Sequence, residues 1–395
     1  MTPEQISHII NELGEDRARY YNAAAAPIMQ TSIFTFPTTE ELAEGLSHSF
    51  ERNVYSRGQN PTNQILQKKL AALEGTEECL LFSSGVAAIS AAVLNEVGAG
   101  DHMVMVDKAY GPARALAGKY LARFGVECSL ADGKDPEAIA AAFRPNTKVL
   151  YLETPSSMVL ELQDLTACAE LARRHGVVTI CDNTYATPLY QRPAEHGIDV
   201  VVHSASKYLG GHSDLVGGVV CTDGERARRI FAGEYLTLGG VMPPFHAWLI
   251  LRSLRTLPLR MERHAATALR LAQWLETHPR VLAVHHPFLP SHPQYELARR
   301  QMQSGTGLFS FELDAPDREA IFSFCDHLKC FHRAISWGGY ESLVCPTAAS
   351  YNRQAQPSPY PWNLIRLHAG LEDPDLLQAD LEAALAMVPA TAATA

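Results

Sequence analysis

Lys207 carries the strongest chemical signal in this chain. It lies in HSASKYLGGHSD (His203 to Asp214), just after the apolar run Ile198 to Val202 and just before a Gly-rich loop. The run reads as a buried parallel strand, and such strands deliver their C-terminal ends to the ligand crevice of an open α/β sheet. An ammonium at that edge, with Ser204 and Ser206 close by in sequence, loses hydration, so its pKa falls toward neutrality. A lysine in that state is an imine-forming nucleophile and a proton shuttle. The ordinary alternative is a lysine reaching from a strand end into solvent, and the residues upstream argue against it. GVVTICD (Gly176 to Asp182) ends another buried strand on a carboxylate, Asp182. LLFSSGVAAI (Leu80 to Ile89) runs from a short apolar strand through Ser-Ser-Gly into a helix start. Free N–H groups and the positive dipole end of that helix, with Gly85 permitting close approach, make a phosphate cradle.

Amine, acid and anion cradle, each at the end of an expected strand, describe a pyridoxal-phosphate site, in which the acid keeps the ring nitrogen protonated. The elements that must position them follow from periodicity. Thr62 to Gly75 is an amphipathic helix with Ile65, Leu66, Leu70 and Leu73 inward. Strands at His102–Val106, Val126–Leu130 and Lys148–Leu152 then alternate with helices at Pro112–Phe124, Pro136–Phe143 and Leu165–His175. That alternation predicts a mainly parallel sheet covered on both faces, with Val216 to Cys221 as its closing strand.

Helical patterns from Pro243 to Trp274 suggest a domain boundary near residue 250. Beyond it, Leu308 to Leu313 alternates like a half-exposed strand, Leu364 to His368 reads as another, and Pro374 to Met387 as a final helix. Pro389 to Ala395 has no pattern and is expected to fray. At the other end, Thr2-Pro-Glu-Gln is a capping box opening a short helix with Ile6, Ile9, Ile10 and Leu13 on one stripe, stopped at Gly14. From Tyr20 to about Asn60 the chain lacks clear periodicity, and an arm of that length usually packs on something else.

Composition narrows the function. The 395 residues suit a large domain plus a smaller one, and 47% hydrophobic with 19% charged residues supports a sizeable core. The net charge of −10, without a basic run, argues against a nucleic-acid partner. No apolar stretch reaches membrane-helix length. Eight scattered cysteines without a CxxC pair or a secretory signal are expected to be free thiols in a reducing cytoplasm. Among the sixteen histidines, His285 with His286 and His203 with His212 lack a supporting ligand cluster, so no metal is expected.

YSRGQNPT (Tyr55 to Thr62), SSGVAAI (Ser83 to Ile89), DNTYATP (Asp182 to Pro188), HSASKYLGGHSD and SWGGYESL (Ser336 to Leu343) occur in this order. Together they resemble the Cys/Met-metabolism pyridoxal-phosphate enzymes from about residue 20 to 385. The resemblance implies the fold type I, aspartate aminotransferase-like architecture. Residues 1–60 would be an arm reaching a neighbouring subunit, 61–250 the large cofactor domain and 251–395 a smaller α/β domain, in a homodimer with shared sites assembling to a tetramer. It implies that Tyr55 and Arg57 contact the cofactor phosphate across the dimer interface. Ser84, Gly85, Val86, Ser204 and Ser206 would hold the phosphate within the chain, with Val86 in place of the usual methionine and Ser206 where threonine is common. Tyr110 would stack on the ring and serve as an acid for the leaving group. Arg366 would grip the carboxylate of the amino-acid substrate beside Ser157 and Ser336, an internal Asp or Glu partner being the plainer alternative for an arginine on an apolar strand.

Within the family, Trp337, Ser157 and Pro112 look like the bacterial cystathionine β-lyase pattern, whereas YSRGQNPT looks like the γ-acting enzymes. The markers nearest the substrate favour β-elimination to a thiol, pyruvate and ammonia. The alternative is γ-elimination or γ-replacement on a methionine-, cystathionine- or homoserine-derived substrate, including one with an oxygen leaving group such as canavanine. A catalytically silent, cofactor-binding regulator conflicts with the presence of Tyr110, Lys207 and Arg366.

Overall fold

Short Val-, Ile- and Leu-rich runs bounded by turns become the strands of a seven-stranded sheet in the computed structural model, which describes residues 1–350 and 359–389. The strands are β1 (Glu78–Phe82), β2 (His102–Val106), β3 (Glu127–Ala131), β4 (Thr147–Glu153), β5 (Val178–Asp182), β6 (Val200–Ser204) and β7 (Gly218–Thr222). Their order is β1-β7-β6-β5-β4-β2-β3. The pairs β3–β2, β2–β4, β4–β5 and β5–β6 are parallel. Burial on both faces accounts for the near-continuous apolar runs. Val200 and Val202 enter one core with Val104, Leu150 and Ile180, while Val201 enters the opposite core with Leu66, Leu81 and Val219. The expected elements are therefore present, and Leu165–His175 has the bounds read from its periodicity.

The expectation of a closing strand at Val216–Cys221 is corrected. That stretch forms β7, inside the sheet and antiparallel to both β6 and β1. The edge is β1, the strand that leads to the phosphate cradle. Gly218 explains the arrangement: a Cβ there would lie 2.0 Å from the Ser84 carbonyl oxygen, so only glycine lets the helix Gly85–Leu94 settle beside this strand.

The C-terminal part holds a second sheet of β8 (Val281–His285), β9 (Leu308–Leu313), β10 (His332–Arg333), β11 (Leu343–Pro346) and β12 (Leu364–His368), ordered β10-β11-β12-β9-β8. All neighbours are antiparallel except β10 and β11. β9 is not half-exposed as expected. Phe309, Phe311 and Leu313 fill this sheet's own core, while Leu308 enters the core of the first sheet and Ser310 Oγ donates to the Met158 carbonyl at 2.6 Å. Its polar alternate positions face another part of the protein, not water. Residue 250 lies within the helix Pro244–Leu254, whose Ile250 and Leu251 share a core with Leu66 and Leu70. The next helix runs from Leu257 to Glu276.

The N-terminal helix Pro3–Asn11 opens with the expected capping box and buries Ile10. Its end is clasped to the helix Pro61–Glu74 by Lys69, whose Nζ donates to the carbonyls of Ile9 and Ile10 and pairs with Glu15 at 3.2 Å. The following segment, expected to be irregular to Asn60, contains a helix at Thr39–Ser47 capped by Thr38. Leu46 and Ile33 of that segment are exposed. Residues 390–395 of the stretch expected to fray lie outside the described residues. Leu66 is fully buried between the clasped helices and the sheet, so Leu66→Ala should cost about 2–5 kcal/mol, read as a lower denaturation midpoint with unchanged m-value.

Candidate active site

Parallel pairing brings three strand ends together: Glu153 of β4 is in register with Asp182 of β5, which is in register with Val202 of β6. Asp182 is 8% exposed. Its Oδ1 accepts the Thr184 N–H at 2.9 Å and the Thr184 hydroxyl at 2.5 Å, and among the described residues no hydrogen bond falls on Oδ2. Burial pushes this carboxyl up, opposed by the Thr184 bonds and by His203 and Lys207. Oδ2 keeps its acceptor capacity for a protonated nitrogen. Thr184 was not foreseen, although an acid followed two positions later by a hydroxyl is a recurrent local pairing.

Lys207 follows β6. Its Nζ donates to Ser336 Oγ at 2.5 Å and lies 5.7 Å from the centroid of the Trp337 ring. Burial, reinforced by Arg366 and opposed by Asp182, lowers its pKa to about 8. A sizeable fraction of the amine is therefore unprotonated near neutrality, as a nucleophile requires.

The cradle forms where the helix Gly85–Leu94 begins. Ser84 caps it by accepting the Ala87 N–H at 3.1 Å, which leaves the first-turn N–H groups of Gly85 and Val86 without intrahelical partners. A Cβ on Gly85 would lie 2.8 Å from Ser204 Cβ, so the helix start and the end of β6 meet only because residue 85 is glycine. Ser206 Oγ accepts the Gly217 N–H at 3.1 Å on the same loop as Lys207. Tyr55 and Arg57 stand apart, exposed, with the guanidinium 5.3 Å from the tyrosine ring centroid. Among the described residues Arg57 has no carboxylate partner and makes no hydrogen bond to the cradle of its own chain.

Arg366 on β12 is 9% exposed, and its guanidinium donates to the Ser157 and Ser336 carbonyls at 3.3 and 3.4 Å. Among the described residues no carboxylate pairs with it, so the internal-partner alternative fails. A buried guanidinium satisfied by two carbonyls and the Met158 sulfur is costly until an anion joins it. Tyr110, 44% exposed, donates its backbone N–H to Glu153 Oε2 at 2.5 Å. Burial raises its phenol pKa, with Asp182 and Glu153 adding to the shift, so the hydroxyl keeps its proton as an acid would. Glu153 was also missed. It is buried, accepts the N–H groups of Tyr110 and Ser157, and is pushed up to about 7 by burial and by Asp182. An acid ending the apolar run KVLYLE was its signal in the sequence.

The four histidines of the expected non-metal pairs have other partners: His203 meets Glu74, His212 the Gly210 carbonyl and His285 Glu312, while the buried His286 accepts the Phe288 N–H on Nδ1 at 3.1 Å. Among the described residues one acidic cluster has metal-like spacing, Asp107, Asp132 and Glu161, and Lys108 and Lys134 span it.

A desolvated amine, an acid with an unused oxygen and a glycine-lined helix start, with a buried unpaired arginine alongside, fit pyridoxal phosphate and an amino-acid carboxylate. The comparisons agree. The family model for Cys/Met metabolism PLP-dependent enzymes matches residues 8–386. The chain is 39% identical to an L-methionine gamma-lyase of Treponema denticola, covering 92% of this chain and 93% of that one. It is 39% identical to a cystathionine beta-lyase of Lactococcus lactis subsp. cremoris (92% and 94%), and 38% to an O-succinylhomoserine sulfhydrylase of Pseudomonas aeruginosa (91% and 90%). The solved structure of metB from Corynebacterium glutamicum superposes with a TM-score of 0.90 at 34% identity, covering 96% of this chain and 97% of that one. The chain belongs to the pyridoxal-phosphate-dependent enzymes of Cys/Met metabolism, with their fold type I architecture.

Proposed function

We propose that this enzyme is a carbon–sulfur lyase that eliminates the β-substituent of a cystathionine-like amino acid, yielding a thiol, pyruvate and ammonia. Pyridoxal phosphate, when bound, supplies an aldehyde for the substrate amine and a ring that draws off the electron pair left at Cα. Lys207 is the amine that would hold that aldehyde and the base that would take the Cα proton. Asp182 Oδ2 keeps the ring nitrogen protonated. Ser84, Gly85, Val86, Ser204 and Ser206 bind the phosphate. Arg366, with the loops at Ser157 and Ser336, orients the substrate carboxylate. Tyr110 would stack on the ring, and its retained proton would go to the departing sulfur.

Relatives of both β and γ type match at similar identity, so the choice rests on one observation. Trp337 is 7% exposed and its indole flanks Lys207 Nζ, whose other neighbour is Ser336 Oγ. γ-Elimination requires the base to serve Cβ as well as Cα, whereas β-elimination requires one position only. A lysine held between a hydroxyl and an indole face suits the second task. Incubation with L-cystathionine should release pyruvate. 2-Ketobutyrate, or turnover of L-methionine or canavanine in preference, would establish the γ reading instead.

The exposed Tyr55 and Arg57 support a dimer in which each chain completes its neighbour's phosphate site, within a homotetramer, and the eight free cysteines support a cytoplasmic location. No helix among the described residues is long and apolar enough to cross a membrane. Arg57→Ala and Lys207→Ala homomers should each lose activity. Mixing them should restore part of it, because one site per hybrid dimer regains both residues; no recovery on mixing would place Arg57 in its own chain's site. Lys207→Ala should lower kcat by at least about 10²–10⁴-fold while still binding the cofactor non-covalently. In cofactor-free wild type, the rate of recombination with the aldehyde should climb as pH rises through about 8, where the Lys207 amine loses its proton. A climb centred near 10.5, the ordinary lysine value, would mean that Lys207 is solvated.

A further inference from the structure

β12 carries two buried polar side chains on one face, Arg366 and His368, two residues apart. The role proposed for Arg366 leaves His368 without one. His368 is 1% exposed, and its Nε2 lies 3.1 Å from the Gly338 nitrogen and 3.1 Å from the Gly339 carbonyl oxygen. With Nε2 accepting the Gly338 N–H, which has no other acceptor among the described residues, Nδ1 carries the proton and is buried without a partner of its own there. Burial keeps the ring neutral by holding its pKa well below the ordinary value, and the packed ring of His264, centroid 5.1 Å away, is held neutral in the same way at about 4. Loss of the Nε2 acceptor through protonation is thereby prevented.

Gly338 is the point of contact with the reacting lysine. Its φ is +85°, and a Cβ there would lie 2.7 Å from the Tyr208 nitrogen and 3.0 Å from Lys207 Cα. The loop therefore rests backbone to backbone on the Lys207–Tyr208 peptide. The same loop presents Ser336 Oγ to Lys207 Nζ, the Trp337 ring beside that nitrogen, and the Ser336 carbonyl to Arg366. Arg366 thus grips the loop at residue 336 and His368 grips it at residue 338.

We propose that His368 is a positioning residue for Lys207: by accepting the Gly338 N–H it seats the Ser336–Gly339 loop on the lysine backbone and fixes where Nζ stands. It touches no reacting atom. The inference rests on Lys207 being the amine that engages the cofactor, and a misplacement of that amine by about 1 Å is enough to cost on the order of a hundredfold in rate.

The test uses the holoenzyme and three variants. Borohydride reduction of wild type, followed by peptide mapping, establishes first whether Lys207 is the amine; absence of a tag there overturns the site reading itself. With the tag present, His368→Leu should lower kcat about a hundredfold while KM changes no more than about threefold, and hydrogen exchange at the Gly338 amide should accelerate. His368→Gln, whose amide can reach the position of Nε2, should restore slow exchange and most of kcat. Should His368→Leu fail to fold, His368→Asn, polar but too short to reach Gly338, replaces it with the same expected losses. A leucine or asparagine variant with kcat within about twofold of wild type, or a glutamine variant that protects the amide yet stays as slow as leucine, overturns the proposal.

Discussion

The site depends on keeping ionisable groups from water at the C-terminal edge of a parallel sheet. Lys207, Asp182, Glu153 and Arg366 are all desolvated, and for each of them burial is the largest influence on its protonation. Water would level these groups to their ordinary values. Out of water, the amine becomes available near neutrality, the acid side of the pocket is drawn upward, and an arginine is left wanting an anion. The rest of the fold supplies the walls that maintain this state.

Those walls come from two units that meet across the site. The first sheet provides Asp182, Lys207 and the helix start at Gly85, each at the end of a strand. The second provides Arg366 and His368 from β12 and the loop that carries Ser336 and Trp337. They meet through the Gly338 backbone against Lys207, through Ser310 Oγ on the Met158 carbonyl, and through Leu308 and Trp337 in the first sheet's core. Glycines recur at these junctions because no side chain fits. Gly85 lies on Ser204, Gly218 on Ser84 and Gly338 on Lys207, each with an ideal Cβ closer than 3.0 Å to a neighbouring atom. The close approach that defines the cradle and the loop is therefore a matter of volume as much as of conformational freedom.

Two guanidiniums have no carboxylate partner among the described residues. Arg366 is buried among carbonyls, whereas Arg57 is exposed over a tyrosine. An unpaired buried cation calls for a small anion that can lose its own hydration, as a substrate carboxylate does. An exposed cation without a carboxylate partner among the described residues, next to an exposed tyrosine, suits a partner's surface.

Much of this was legible in the sequence. Runs such as VVTICD and LIRLH could only be buried strands, and their terminal or central polar residues had to be functional or paired, because hydrocarbon and charge do not share a core without compensation. Ser-Ser-Gly at a helix start, and Lys207 after a strand, are local signals, and they specified the cofactor chemistry together with the family pattern. Long-range packing was not readable. Whether β7 would close the sheet or enter it depended on Gly218 meeting Ser84, a contact between residues far apart in the chain. β9 was read as half-exposed because its alternation is the same whether the second face meets water or another sheet. Glu153 and His368 gain their parts only when register and loop contact bring them beside Asp182, Tyr110 and Gly338. Composition and periodicity determine which residues are buried and at which strand ends they lie; only the tertiary structure determines which buried groups touch, because hydrogen bonds and backbone contacts act over about 3 Å between segments whose separation in sequence carries no record of their meeting.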